Sequence, residues 1–154
     1  MSLVFKTPKS ENLSSAGILI LRIGIAFGFF WAGSGKVSDP AGFGKMLNMM
    51  AGIDPMMATN MALMIGIFEL LSGVLVLIGL ITRPAAIFQI AILIGALAMF
   101  GLDFSQGPGI WKDPALLGVA IMLVLNGSGK FGVDYIISKK FTNKVQDTVK
   151  DEGR

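Results

Sequence analysis

The sequence contains no cysteine and no histidine. Together these absences exclude a disulfide, a CxxC redox pair, a thiolate nucleophile and a Cys/His metal site. Haem ligation through His or Cys and general base catalysis by imidazole are excluded with them. A redox role would therefore rest on a bound organic cofactor or on a partner chain. No intrinsic cofactor and no metal site are expected. Charge is scarce too: 15% of the residues are Asp, Glu, Lys or Arg, against about 25% in a soluble domain. Apolar residues make up 53% of the chain, and the mean hydropathy is +0.71. So few charges cannot cover a water-facing surface, and lipid must replace water around much of the molecule.

The apolar residues fall into four stretches, which predict an all-α, polytopic membrane four-helix bundle. The first runs from Ala16 to Ala32 and is interrupted by Arg22. A charge inside the run, with three more runs downstream, argues against a cleaved signal peptide. Residues 35–56 form a connection in which Asp39-Pro40 signals a helix start. Phe43, Met46, Leu47 and Met50 follow at helical spacing, predicting a short interfacial helix between the first and second spans. Gly52 and Asp54-Pro55 should end it. The second span covers Met57 to Ile81, the turn Thr82-Arg83-Pro84 follows, and the third span runs from Pro84 to Leu102. The fourth, Pro114 to Leu125, is short of the roughly 20 residues that cross a bilayer unless it starts near Gly109. Lys130 to Phe141 suggests an interfacial segment. The division expected is a cytoplasmic lead over 1–13, a four-helix membrane domain over 14–137 and a polar cytoplasmic tail over 138–154, of which the last ten or so residues should lack fixed structure.

Charge sets the expected orientation. With four crossings, one side holds Lys6, Lys9, Arg83, Lys130, Lys139, Lys140, Lys144, Lys150 and Arg154, and the other holds Lys36, Lys45 and Lys112. Basic residues concentrate on the cytoplasmic side, so both termini should be cytoplasmic in a multi-pass protein of the cell membrane. This distribution also accounts for the net charge of +3 without a nucleic-acid partner. Gly127-Ser128-Gly129-Lys130 lacks the preceding strand and the full spacing of a nucleotide-binding loop.

Arg22 and Glu69 are the most informative residues, because a charge in hydrocarbon costs at least about 2.5–3.5 kcal/mol. At helical phase Glu69 has Ala62, Gly66, Ser72 and Gly73 around it, and small residues let a helix or ligand approach closely. Glu69 thus reads as an intramembrane acceptor or proton carrier, or equally as a structural hydrogen bond. A direct Arg22–Glu69 pair is disfavoured by depth, ~10 Å against ~20 Å from the cytoplasmic end. Snorkelling of Arg22 to the head groups is the alternative. Gly24, Gly28 and Ala32 form a small-residue seam expected to pack within the monomer. Gln89 is the strongly polar side chain of the third span.

The order of several short stretches resembles the DoxX family of small membrane proteins. They are Leu21-Arg22-Ile23-Gly24 with Gly35-Lys36, Asp39-Pro40-Ala41-Gly42-Phe43, and Gly66-Ile67-Phe68-Glu69-Leu70-Leu71-Ser72-Gly73. Gly79-Leu80-Ile81-Thr82-Arg83 follows, and Gly127-Ser128-Gly129-Lys130-Phe131 with Asp134 closes the pattern. Ala32-Gly33 stands where the family often has His-Gly, and Ser128 stands for the usual proline. The resemblance implies a four-helix fold, with Arg22, Lys36, Glu69 and Arg83 as the polar positions of interest. It further implies a membrane-anchoring or quinone-binding subunit of a redox complex, partnered by lipid and by other membrane or membrane-associated subunits. A small proton-coupled carrier built around Glu69 and a non-enzymatic scaffold are the other readings. Family alone does not establish catalysis.

Overall fold

A computed structural model describes residues 11–101 and 108–152. Lys6, Lys9, Asp103 and Arg154 lie outside the described residues, as does the side chain of Trp111. The described residues form six helices: α1 Glu11–Ser38, α2 Pro40–Ala51, α3 Pro55–Ile78, α4 Thr82–Phe100, α5 Pro108–Asn126 and α6 Val133–Glu152.

Their ends follow from punctuation residues. Asp39 caps α2 by accepting from the Gly42 N–H, and Asp54 caps α3 by accepting from Met56 and Met57. In each case proline occupies the first helical turn, where no N–H is needed. Gly52 and Gly79 end α2 and α3 in the left-handed conformation, at φ 65° and 72°, which glycine adopts without a Cβ penalty.

Among the described residues, three helices are long and apolar enough to cross a membrane, over residues 12–38, 55–78 and 82–99. Only 33%, 33% and 28% of these apolar windows are buried inside the protein, so most of their surface faces outward. Ile20, Phe27 and Trp31 are about 70% exposed, which suits lipid and not water.

α1 packs along α3, α2 folds back on the first half of α3, and α4 packs along α5. The main core joins Ile25, Phe29, Val76, Ala86, Leu93 and Leu123 from four helices. A smaller cluster of Leu47, Ala58 and Ala62 seats α2 on α3.

The structure departs from the sequence-based expectations in two places, the end of the first helix and the tail. The first helix does not stop at Ala32 but continues to Ser38, because Gly33-Ser34-Gly35 are tolerated within a helix and the first true breaker is Asp39-Pro40. Lys36 is therefore on a membrane helix and not in a connection. α5 begins at Pro108, in line with the alternative start near Gly109, so Pro114 lies inside it and the helix reaches 19 residues. The tail expected to lack structure is helical through Glu152; no glycine or proline interrupts it.

Candidate functional site

The structure separates the charged residues of the membrane domain into two groups, one at each end of the bundle. At one end, α1 crosses α3 where both helices carry glycine. A Cβ at Gly33 would lie 2.8 Å from the Gly66 carbonyl and 3.1 Å from the Glu69 Cβ. A Cβ at Gly66 would lie 2.9 Å from the Lys36 Cβ. This crossing brings the Lys36 stem against α3 and directs its ammonium to Glu69. Lys36 Nζ donates to both carboxylate oxygens, at 2.7 and 2.9 Å. Their side chains are 13% and 4% exposed. The Phe43 ring of α2 lies 4.7 Å from Nζ, within cation–π range.

The pair borders a cavity of about 500 Å³, within the range of small-molecule sites. Its walls are mostly apolar, including Phe29, Leu47, Ile65, Leu93, Met99 and Leu116. Lys112 and Asp113 of α5 also line it and pair with each other at 2.8 Å. The polar rim thus offers two ammonium donors and two carboxylate acceptors at the edge of an apolar volume. It can donate to a carbonyl, accept from a hydroxyl and hold a proton.

At the opposite end, Arg22 is 1% exposed and donates to three backbone carbonyls. They are Val76 at 2.8 Å, Leu77 at 2.5 Å and Ser128 at 3.0 Å. It therefore closes the C-terminus of α3, where a cation meets the negative end of the helix dipole, and ties it to the turn after α5. Gly79 makes room for this guanidinium: a Cβ there would lie 2.6 Å from Nη2. Asp134 completes the arrangement. Its carboxylate accepts from Ile81 N at 2.7 Å and Thr82 N at 2.9 Å, capping α4 from another helix. The cap has to come from outside, because Ile81, at φ 44°, makes no side-chain cap of its own. Asp134 N in turn donates to Gly79 O at 2.9 Å.

Of the four polar positions singled out in the sequence, Lys36 and Glu69 meet. Arg22 and Arg83 sit at the other end, and Arg22 neither pairs with Glu69 nor snorkels, since its donors are taken by carbonyls. Arg83 is exposed and donates to Leu125 O at 3.4 Å. Gly66 and Gly73 face α1, with a Gly73 Cβ placed 3.4 Å from the Phe30 ring. Gly28 faces Leu116 at 3.1 Å, while Gly24 faces open space; the tight seam of α1 runs through Gly33 instead. Sequence reasoning did not connect Phe43, Lys112 and Asp113 to Glu69. Reading α1 on to Asp39-Pro40 would have placed Lys36 one turn beyond Ala32, beside the cavity.

An all-helical membrane protein with a charged pair at an interior cavity is the class these features define. The chain belongs to the DoxX family, whose model matches residues 17–102. Similar proteins include the inner membrane protein YqjF of Escherichia coli K12, 26% identical over 85% of this chain and 99% of that one. Another is the inner membrane protein YphA of the same organism, 26% identical over 76% and 87% of the two chains. A third is the uncharacterized membrane protein Rv3486 of Mycobacterium tuberculosis, 28% identical over 81% and 83%. No solved structure matches.

Proposed function

We propose that this membrane protein binds a lipophilic molecule with a polar ring head, of the quinone class, and acts as a quinone-binding or anchoring subunit of a redox complex. The observation that carries this reading is the Lys36–Glu69 pair on the rim of a largely apolar cavity of about 500 Å³. The donor set fits the group. A quinone presents carbonyls that accept from Lys36 or Lys112, and its reduced form presents hydroxyls that donate to Glu69 or Asp113. The apolar walls suit the ring and the start of an isoprenoid chain. Bound there, a quinone would supply the electron exchange that the side chains of this sequence do not. The chain's own contribution is to bind and orient the head and keep bulk water away.

The test is purification in mild detergent, followed by extraction and mass spectrometry of lipophilic small molecules and co-purifying proteins. A quinone should accompany the parent protein. Gly95 lines the cavity, and a Cβ added there meets open space. Gly95→Phe should therefore lower quinone occupancy while leaving thermal unfolding in place. Absence of quinone from the parent, with no rise in melting temperature on adding a short-chain quinone, would overturn the reading. Proton-coupled uptake in liposomes would then favour a carrier working through Glu69. A stable partner without either would favour a scaffold.

A further inference from the structure

We propose that a second site, at the Arg22 end of the bundle, binds a phosphate ester between Arg83 and Lys130. The Gly127–Gly132 turn is folded back over the starts of α1 and α4 by the Arg22–Ser128 bond and by the Lys130 N–H, which donates to Ser15 Oγ at 3.3 Å. Between this turn and the helices lies a groove of about 700 Å³. Its polar lining includes the cations Arg83 and Lys130 and hydroxyls such as those of Ser14, Ser15, Thr82 and Tyr135. The carboxylate in the groove, Asp134, is already engaged, each oxygen accepting a backbone N–H at the start of α4. Its charge is set against the positive end of that helix. The two cations both line the groove. Arg83 makes one long bond to Leu125 O, and Lys130 Nζ lies 3.5 Å from Asn12 Oδ1. Thr82 adds an independent observation: it is fully buried, and its Oγ1 has no hydrogen-bond partner among the described residues. A donor-rich groove with two cations and a spare buried hydroxyl suits an anion with several oxygens. Phosphate esters have that chemistry.

Two sources carry it. Ile81, Phe131 and Ile136 at this end are all more than half exposed, and they would receive the acyl chains of an anionic phospholipid whose head occupies the groove. A soluble phosphate ester would use the cations alone. The turn is no nucleotide-binding loop, since α6 does not start until Val133, three residues after Lys130, and Ser128 O is turned onto Arg22.

The experiment is thermal unfolding of delipidated protein in one detergent, titrated separately with phosphatidylglycerol, phosphatidylcholine and glycerol 3-phosphate. Phosphatidylglycerol should raise the melting temperature by roughly 5–10 °C at a hundredfold excess over its dissociation constant, and phosphatidylcholine by much less. Arg83→Gln and Lys130→Gln should each weaken the apparent affinity about fivefold. Both side chains sit on the groove wall, so the unliganded variants should melt close to the parent. A response to glycerol 3-phosphate alone, lost in the same variants, would support the site and assign it to soluble esters. Equal responses to both lipids, or shifts that survive both substitutions, would overturn the proposal.

Discussion

Burying a carboxylate in a membrane bundle costs several kcal/mol unless a cation meets it with good geometry. Lys36 does so at Glu69, reaching both oxygens within 2.9 Å. Removing one partner is then worse than removing both. Glu69→Leu should destabilise the protein by about 3–5 kcal/mol, because the Lys36 ammonium is left without compensation. Glu69→Gln should cost less, since an amide still accepts from Lys36. Lys36→Met combined with Glu69→Leu should recover most of the loss. Thermal unfolding of all four proteins in one detergent closes the cycle, and a double variant no better than Glu69→Leu would show that the pair is not the source of the effect. Gln89 is the opposite case. It is fully buried on the inner face of α4, and neither amide atom has a hydrogen-bond partner among the described residues. An unpaired buried polar group costs about 1–3 kcal/mol. Gln89→Leu, which keeps the volume, should therefore raise the melting temperature, and a fall would mean that the amide is satisfied in the membrane.

At the scale of elements, two kinds of contact set the helices in place: glycine crossings and borrowed caps. Gly33 and Gly66 bring α1 and α3 together, whereas Gly24 faces open space. Gly33→Leu should force the helices apart and lower stability markedly, while Gly24→Leu should be neutral or slightly stabilising, since leucine is the better helix former. Equal effects would remove the crossing from the argument. Asp134→Ala should cost about 1–2 kcal/mol by uncapping α4, with Asp134→Asn intermediate; unchanged melting would show that water replaces the cap. The apolar helices were legible in the apolar runs, and the starts of α2 and α3 in Asp-Pro pairs, because those signals are local. The end of α1 was not, because Gly33-Ser34-Gly35 looks like a loop until α3 is known to lie against it. The cap on α4 was invisible for a related reason: Asp134 lies 52 residues from Thr82, and only the fold brings them together. The Gly127–Phe131 stretch with Asp134 was readable as a pattern without its physical purpose, which is to seal the α3–α4 turn.

For the whole molecule, the site was half legible. Composition and helical phase pointed to Glu69 but gave it no partner, since depth disfavours Arg22 and Lys36 reads as part of a connection outside the membrane. The structure shows why the two cations differ: α1 places Arg22 at the level of Val76 and Lys36 at the level of Gly66, so each end of the bundle has one buried cation. The same geometry constrains topology. Ser15 of α1 meets Lys130, Arg22 meets the end of α3, Arg83 of α4 meets the end of α5, and Asp134 of α6 meets the start of α4. The starts of α1, α4 and α6 and the ends of α3 and α5 therefore share one end of the molecule. If α5 crosses with α4, both termini are expected on one side of the membrane, and the excess of lysine and arginine there predicts that it is the cytoplasmic side. The short, mostly apolar α2, with Lys45 on its exposed face, lies at the other end. Reporter fusions at Lys9 and Lys150 should both report the cytoplasm, and a tag at Lys45 should be reachable from outside. A cytoplasmic Lys9 with an external Lys150 would mean that α5 does not cross. The cavity would then sit beside a re-entrant α5, with Lys112 and Asp113 reached from a different side of the membrane.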